Sequence, residues 1–280
     1  MDINNLIVIS DTHCGCQYAL CPPQVRLDGG GVYSLTDLQV HLWGWWLEFW
    51  HEWVPTVTRG ETYAVLINGD LMDHRHHSST TQISQNPADQ QRIAEMVFTP
   101  VAEWARGGLY ITRGTEAHTG KSGWAEELLA KRLGAVPDET GNHSRYDLNI
   151  RIGEDCMVNA LHHIGTTGSQ HYETTAVTKE LTEAFTEAAR WGDEPPDVVV
   201  RSHRHRFSEV RIATRKGYGY SLVTPAWQGK TPFAWKIPGG RQSRPQFGGV
   251  LIRQGDEEFF TRHRVWTLPR TKTVIPQTRS

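Results

Sequence analysis

Five short apolar runs punctuate the chain: LIVI at 6–9, AVLI at 64–67, LYI at 109–111, MVNAL at 157–161 and VVV at 198–200. Successive side chains of a strand point to opposite faces, so a half-buried strand alternates apolar and polar positions. Four of these runs do not alternate, and the fourth in chain order is broken only by Asn159, which predicts strands buried on both faces. Longer segments with helical spacing lie between them. In 35–54, Trp43, Trp46, Leu47, Trp50 and Val54 recur three and four residues apart, which predicts a helix whose tryptophans cover a sheet face rather than stack on a ligand. Segments 88–105, 122–133 and 177–190 read as further helices, the second opening at Ser122 with Glu126 and Glu127 in its first turns.

After residue 195 the texture changes to strand-like stretches at 208–214, 220–223, 248–252 and 259–266, separated by Gly and Pro turns. Alternating strand and helix followed mainly by strands predicts an α/β fold of two packed sheets with helices outside. A chain of 280 residues can bury one sizeable core, so a single domain over 1–268 is expected, with 269–280 as a loose carboxyl-terminal tail.

Composition narrows the class. Hydrophobic residues are 38% and charged residues 21%, a globular balance, and no run reaches the roughly 18 apolar residues of a membrane span. The start, MDINNLIVIS, lacks the basic opening of a secretory signal, so a soluble cytoplasmic protein with no membrane partner is expected. Cys14, Cys16, Cys21 and Cys156 read as reduced, partly buried thiols, because the second Cys pair that a zinc knot needs is missing. Net charge is only −2, yet residues 201–280 carry 16 Lys and Arg against four Asp and Glu, while the first 200 carry 13 against 27. That asymmetry points to an anionic partner.

Each of the five apolar runs ends in residues able to hold a cation. Run 6–9 leads to Asp11 and His13, 64–67 to Asn68 and Asp70, 109–111 to Gly114, Glu116 and His118, 157–161 to His162 and His163, and 198–200 to His203 and His205. Ligands at the carboxyl ends of strands converge on one crevice in α/β sheets. Residues two apart on an extended backbone project the same way, so Asp11 with His13, and His203 with His205, are expected to aim at a common place. Imidazoles and carboxylates suit a first-row divalent metal, and these are too many for one tetrahedral ion. Two ions sharing a bridging carboxylate would use them all.

In this order the motifs resemble those of the calcineurin-like metallophosphoesterases: Asp11 to His13, Gly69 to Asp70, Gly114 to His118, His162 to His163, and Ser202 to His205. The resemblance implies a four-layer α/β/β/α sandwich of two mixed sheets with a dinuclear site at strand carboxyl ends. It implies Asp11, His13, Asp70 and His205 for one metal and Asp70, His162 and His203 for the other, where Glu116 is expected to complete the set, with His163 as the alternative to His162. Manganese is the first expectation, with iron, zinc or nickel as alternatives. Two departures stand out. Ser202 replaces the glycine before His203, and Gly-Asn-His has become Gly-Thr-Glu-Ala-His, so Glu116 is expected to supply the missing oxygen while His118 acts as the catalytic histidine beside Asp70. The altered turn resembles a branch of these enzymes found in phage and prophage genomes.

The implied reaction is in-line attack of a metal-bridging hydroxide on a phosphate ester. The basic carboxyl-terminal third favours a phosphodiester or nucleic acid. A phosphomonoesterase acting on nucleotides or phosphoproteins, and a non-catalytic metal-bound nucleic-acid-binding scaffold, are the alternatives. Arg75, His77 and Arg204 are expected to contact the substrate.

Overall fold

A computed structural model describes residues 3–76, 78–165, 169–237, 241 and 243–269 of the chain. Twelve strands are present among them. They are β1 (Asn5–Ile9), β2 (Val25–Arg26), β3 (Val32–Tyr33), β4 (Ala64–Asn68), β5 (Leu109–Thr112), β6 (Leu148–Ile152), β7 (Cys156–Ala160), β8 (Val198–Arg201), β9 (Ser208–Thr214), β10 (Gly217–Val223), β11 (Phe247–Gln254) and β12 (Phe259–Trp266). The helices are α1 (Asp37–Glu48), α2 (Val54–Val57), α3 (Pro87–Trp104), α4 (Glu116–Thr119), α5 (Trp124–Arg132) and α6 (Glu173–Trp191).

Ten strands form two five-stranded mixed sheets, ordered β12-β11-β1-β4-β5 and β6-β7-β8-β10-β9. In the first, β1, β4 and β5 run parallel, with Leu6 opposite Ala64 and Val65 opposite Leu109. In the second, β7, β8 and β10 run parallel, with Val158 and Tyr220 both opposite Val198. Parallel neighbours end on the same side, which gathers their carboxyl-terminal loops.

The unbroken apolar runs follow from the layering. Ile7, Ile9, Val65 and Ile67 face a core shared with Leu42 and Trp46 of α1, Ile93 and Phe98 of α3, and Leu129 of α5. Their neighbours Leu6, Val8, Ala64 and Leu66 point the other way and pack against Val158, Val198, Val200 and Leu222 of the second sheet. The outer face of that sheet takes α6, through Val177 against Val223. The result is the expected α/β/β/α sandwich, and a central strand with no solvent face has no reason to alternate.

Three local expectations differ from the structure. Segment 35–54 is helical, but Phe49–Trp53 is a π turn between α1 and α2. Its tryptophans do line the core, Trp46 lying edge-on to Trp227 and Trp50. Ser122 does not cap α5: it sits at φ 62° inside a 3-10 turn, and Gly123 takes the cap position without a side-chain bond. Strand β6, which reads L-N-I-R-I with buried ends, carries the alternation of a half-exposed strand and was not among the expected strands. All four cysteines are buried and none is in a disulfide. Of the expected tail, 270–280 lies outside the described residues. Among the described residues no helix is long and apolar enough to cross a membrane.

Candidate metal centre

The loops after β1, β4, β5, β7 and β8 meet at one end of the two sheets. A chain of buried hydroxyl and amide groups ties them together. Thr112 Oγ1 donates to Asn68 Oδ1 at 2.6 Å, and Asn68 Nδ2 donates to Ser202 Oγ at 2.6 Å. Ser202 then bonds Thr224 Oγ1 at 2.7 Å, and Thr224 bonds Ser10 Oγ at 2.6 Å. Ser10 Oγ donates to Asp11 Oδ2 at 2.6 Å. Ser202, the departure from glycine, is therefore a working member of this chain. The network fixes Asp11 so that Oδ1 alone faces the crevice.

The backbone that delivers these side chains is not extended. Asp11, His13, Asp70, His203 and His205 all have positive φ, between 41° and 70°. Such conformations cost non-glycine residues free energy and collect at functional sites. Tight left-handed turns, not an extended backbone, aim these side chains: Asp11 and His13 reach one cluster as expected, whereas His203 and His205 reach different ones.

Among the described residues four groups of three ligand atoms come together, each set within 4.8 Å. Asp11, His13 and His205 form one; Asp70, His162 and His203 a second; His13, Asp70 and His118 link them; Asp73, His76 and His118 form a fourth. His162 Nδ1 donates to the Asn68 carbonyl at 2.7 Å, which leaves the Nε2 lone pair 3.1 Å from Asp70 Oδ2. His205 Nε2 stands 3.2 Å from Asp11 Oδ1 and 3.3 Å from His13 Nε2. Asp11 Oδ1 and His162 Nε2 are buried with no hydrogen-bond partner. Acceptors facing acceptors in a buried site repel unless a proton or a cation lies between them.

The titration of these groups reports the same tension. Burial opposes a charged His162, yet Asp70 and Asp11 outweigh it and push the imidazole up to about 10. Burial likewise opposes ionised Asp11 and Asp70, but the facing histidines hold both below the usual carboxylate range. His118 goes the other way, pushed down to about 4 by burial and by His13. Without metal, protons occupy the gaps that cations fit. The donors are nitrogen and oxygen, which suits manganese, iron, zinc or nickel.

Most of the predicted residues are brought together, and some are not. Asp11, His13, Asp70, His162, His203 and His205 converge, with His118 beside them. His163 is exposed and stands in no cluster, although its ring lies 4.8 Å from that of His203. Glu116 is exposed at the first position of α4 and joins none of the groups. The residue against Asp70 is instead Thr115, whose N–H donates to Asp70 Oδ1 at 2.7 Å and whose hydroxyl is 3.1 Å away. The physical reason is that α4 starts right after Thr115, turning Glu116 toward solvent.

Arg75 is exposed and does not line the cavity above the clusters. Arg204 lines it, with its guanidinium donating to the carbonyls of Glu173 and Gly165. His77 lies outside the described residues.

Two carboxylates were missed. Asp73 is buried, and its Oδ1 is 3.6 Å from His13 Nδ1 and 3.4 Å from His76 Nε2, while Gln82 donates to its Oδ2 at 2.7 Å. Its carbonyl accepts from His118 Nδ1 at 2.6 Å. The only sequence signal was its place three residues after Asp70. Glu126, buried in the first turn of α5, accepts from Leu71 N at 3.0 Å and Gly114 N at 2.8 Å. It thereby clamps the second and third motif loops together. Burial, then Asp70, raises its carboxyl to about 7.

Neither a family model nor a curated protein matches the chain. Among solved structures it is similar to vacuolar protein sorting 29 from Cryptosporidium parvum, at 13% identity and a TM-score of 0.38, covering 96% of this chain and 100% of that one. It is also similar to the sulfate thiohydrolase SoxB of Thermus thermophilus, solved with glycerol, at 14% identity and a TM-score of 0.39, covering 96% of this chain and 57% of that one. At this level the likenesses carry no argument about chemistry, which rests on the side chains described above.

Proposed function

We propose that this chain is a dinuclear metal-dependent hydrolase of the calcineurin-like metallophosphoesterase type, acting on phosphate esters and on phosphodiesters in preference. The observation that carries the reading is Asp70: its carboxylate belongs to two adjacent ligand groups, one with His162 and His203 and one with His13 and His118. Asp11, His13, Asp70 and His205 would hold one ion, and Asp70, His162 and His203 the other. Ions held there supply charge neutralisation at phosphoryl oxygens and make water a competent nucleophile near neutral pH.

The rest is the work of this chain. Thr115 and Ser10 fix the two carboxylates, and the Asn68 carbonyl fixes the His162 tautomer, so the donors are positioned before a substrate arrives. His118 spends its Nδ1 hydrogen on the Asp73 carbonyl, so a proton exchanged with the leaving oxygen passes at Nε2. Attack of water on phosphorus breaks the phosphorus–oxygen ester bond, and the leaving oxygen takes a proton. The cavity over the clusters, about 640 Å³, accepts more than a bare phosphate.

The test is protein loaded with Mn²⁺ and assayed on a chromogenic diester, a chromogenic monoester and single-stranded DNA, with ion content measured on the same samples. Two ions per chain and turnover of the diester are expected, and Asp70→Ala should lose both. Full activity and ion content in Asp70→Ala refutes the reading. Two bound ions with no turnover of any substrate moves the reading to a metal-bound scaffold.

A further inference from the structure

One wall of the cavity is unused by the mechanism. The segment after β10 contributes Pro232, Phe233, Ala234 and Ile237, and Pro245 follows in the stretch leading to β11. Phe233 lines the cavity yet is 64% exposed, so its ring is presented to whatever enters. Trp235, the other exposed ring of the segment, is already covered by Lys230 Nζ, 3.7 Å from its centroid, and does not line the cavity. Lys236 and Arg244 border the same space and enter no ion pair among the described residues. The floor beside them holds the ligand clusters.

An exposed aromatic face beside unpaired cations and a phosphate-cleaving centre matches the way single-stranded nucleic acid is held. Bases stack on aromatic rings while basic side chains follow the backbone. Resting on the phosphoesterase reading, we infer that Phe233 is a nucleobase platform and that the substrate is a single strand of nucleic acid. Lys236 and Arg244 take the phosphates flanking the scissile one. A phosphopeptide fits less well, because phosphate on a peptide is gripped by open arginine forks. Of the described arginines on the cavity, Arg206 pairs with the Glu173 carboxylate at 2.8 Å and Arg204 is held by the Glu173 and Gly165 carbonyls, which leaves Arg244 by itself rather than in a cluster.

The experiment compares Mn²⁺-loaded wild type and Phe233→Ala on a short thymidine oligomer, on an abasic oligomer of the same length and backbone, and on a phosphoserine peptide. Binding of the two oligomers is read separately by fluorescence anisotropy. For the base-bearing oligomer Phe233→Ala should raise KM and Kd roughly 5- to 150-fold, the range spanned by one base–aromatic stack. The abasic oligomer should be unaffected, and Phe233→Tyr should restore wild-type values. Because the ring is exposed, the variant is expected to fold. Equal effects on both oligomers, no preference of wild type for the base-bearing one, or preferential turnover of the phosphopeptide each overturn the platform. If neither oligomer is cleaved but the base-dependent loss of binding persists, the hydrolase reading fails and the platform stands.

Discussion

Gly114 puts the geometry of the centre to a sharp test. Its φ is not in the left-handed region, so space alone excludes a side chain. A Cβ there would sit 2.0 Å from Asp70 Oδ1 and 2.3 Å from Asp70 N. To restore an ordinary contact of 3.4 Å, the Asp70 carboxylate or the loop must retreat by about 1.4 Å. That motion breaks the charge-assisted Thr115 N–H bond to the Asp70 carboxylate and strains the Gly114 N–H bond to Glu126, whose carboxyl is raised to about 7. A bond to a charged group contributes about 1.5 to 3 kcal/mol and a neutral one about 1 kcal/mol, so Gly114→Ala should cost about 3 kcal/mol. For a chain this long that lowers the melting temperature by roughly 6 °C or more.

The larger effect is functional, because Asp70 belongs to two of the ligand groups: ion content should fall below one per chain. Calorimetry and elemental analysis read the two effects. Gly134→Ala is the control, with φ 68° but nothing within 4 Å of the added carbon. It should cost about 1 kcal/mol of backbone strain and keep both ions. A Gly114→Ala protein with wild-type melting temperature and two ions refutes the close packing of the third motif against Asp70.

Other expectations follow from the same structure. An ion must displace the His162 proton, and that imidazole is raised to about 10, so apparent affinity for Mn²⁺ should rise up to tenfold per pH unit across pH 6 to 9, with proton release measurable by calorimetry. In the metal-free protein the folded value lies above the ordinary 6.5, so this group's stabilisation is full below pH 6.5 and is lost as pH rises toward 10; a melting temperature that climbs over that window contradicts the assignment. Glu116→Gln should leave ion content and melting temperature unchanged, whereas Glu126→Gln turns an amide N–H₂ toward the Leu71 or Gly114 N–H and should cost about 1 to 3 kcal/mol, read by denaturant titration. Gly44→Ala, in α1 with open space around it, should stabilise by about 0.5 to 1 kcal/mol, and a destabilised variant would contradict the open surface there.

The five apolar runs and the polar residues ending them were legible because burial on both faces leaves an unbroken hydrophobic signature, and because a parallel strand delivers its ligands at its carboxyl end. Helix positions followed from spacing to within a few residues for 88–105, observed as Pro87–Trp104, and the strands at 208–214 and 259–266 have the observed limits. The order Asp11, Asp70, His118, His162, His203 along the chain therefore points to one crevice from the sequence alone.

What the sequence could not carry depends on contacts between distant residues and on backbone geometry. Glu116 looked like a ligand, but the start of α4 turns it to solvent and leaves Thr115 against Asp70. Asp73 and Glu126 became visible only when folding buried them beside His13, His118 and Gly114, since a carboxylate in a loop or a helix's first turn is ordinarily solvated. The left-handed turns fall at Asp11, His13, Asp70, His203 and His205, residue types that tolerate positive φ better than most, but that tolerance does not say where such a turn occurs: the surrounding packing imposes it. Periodicity is a local property of the chain, so it located the strands; the aim of each ligand is set by the whole tertiary structure, and only that structure decided it.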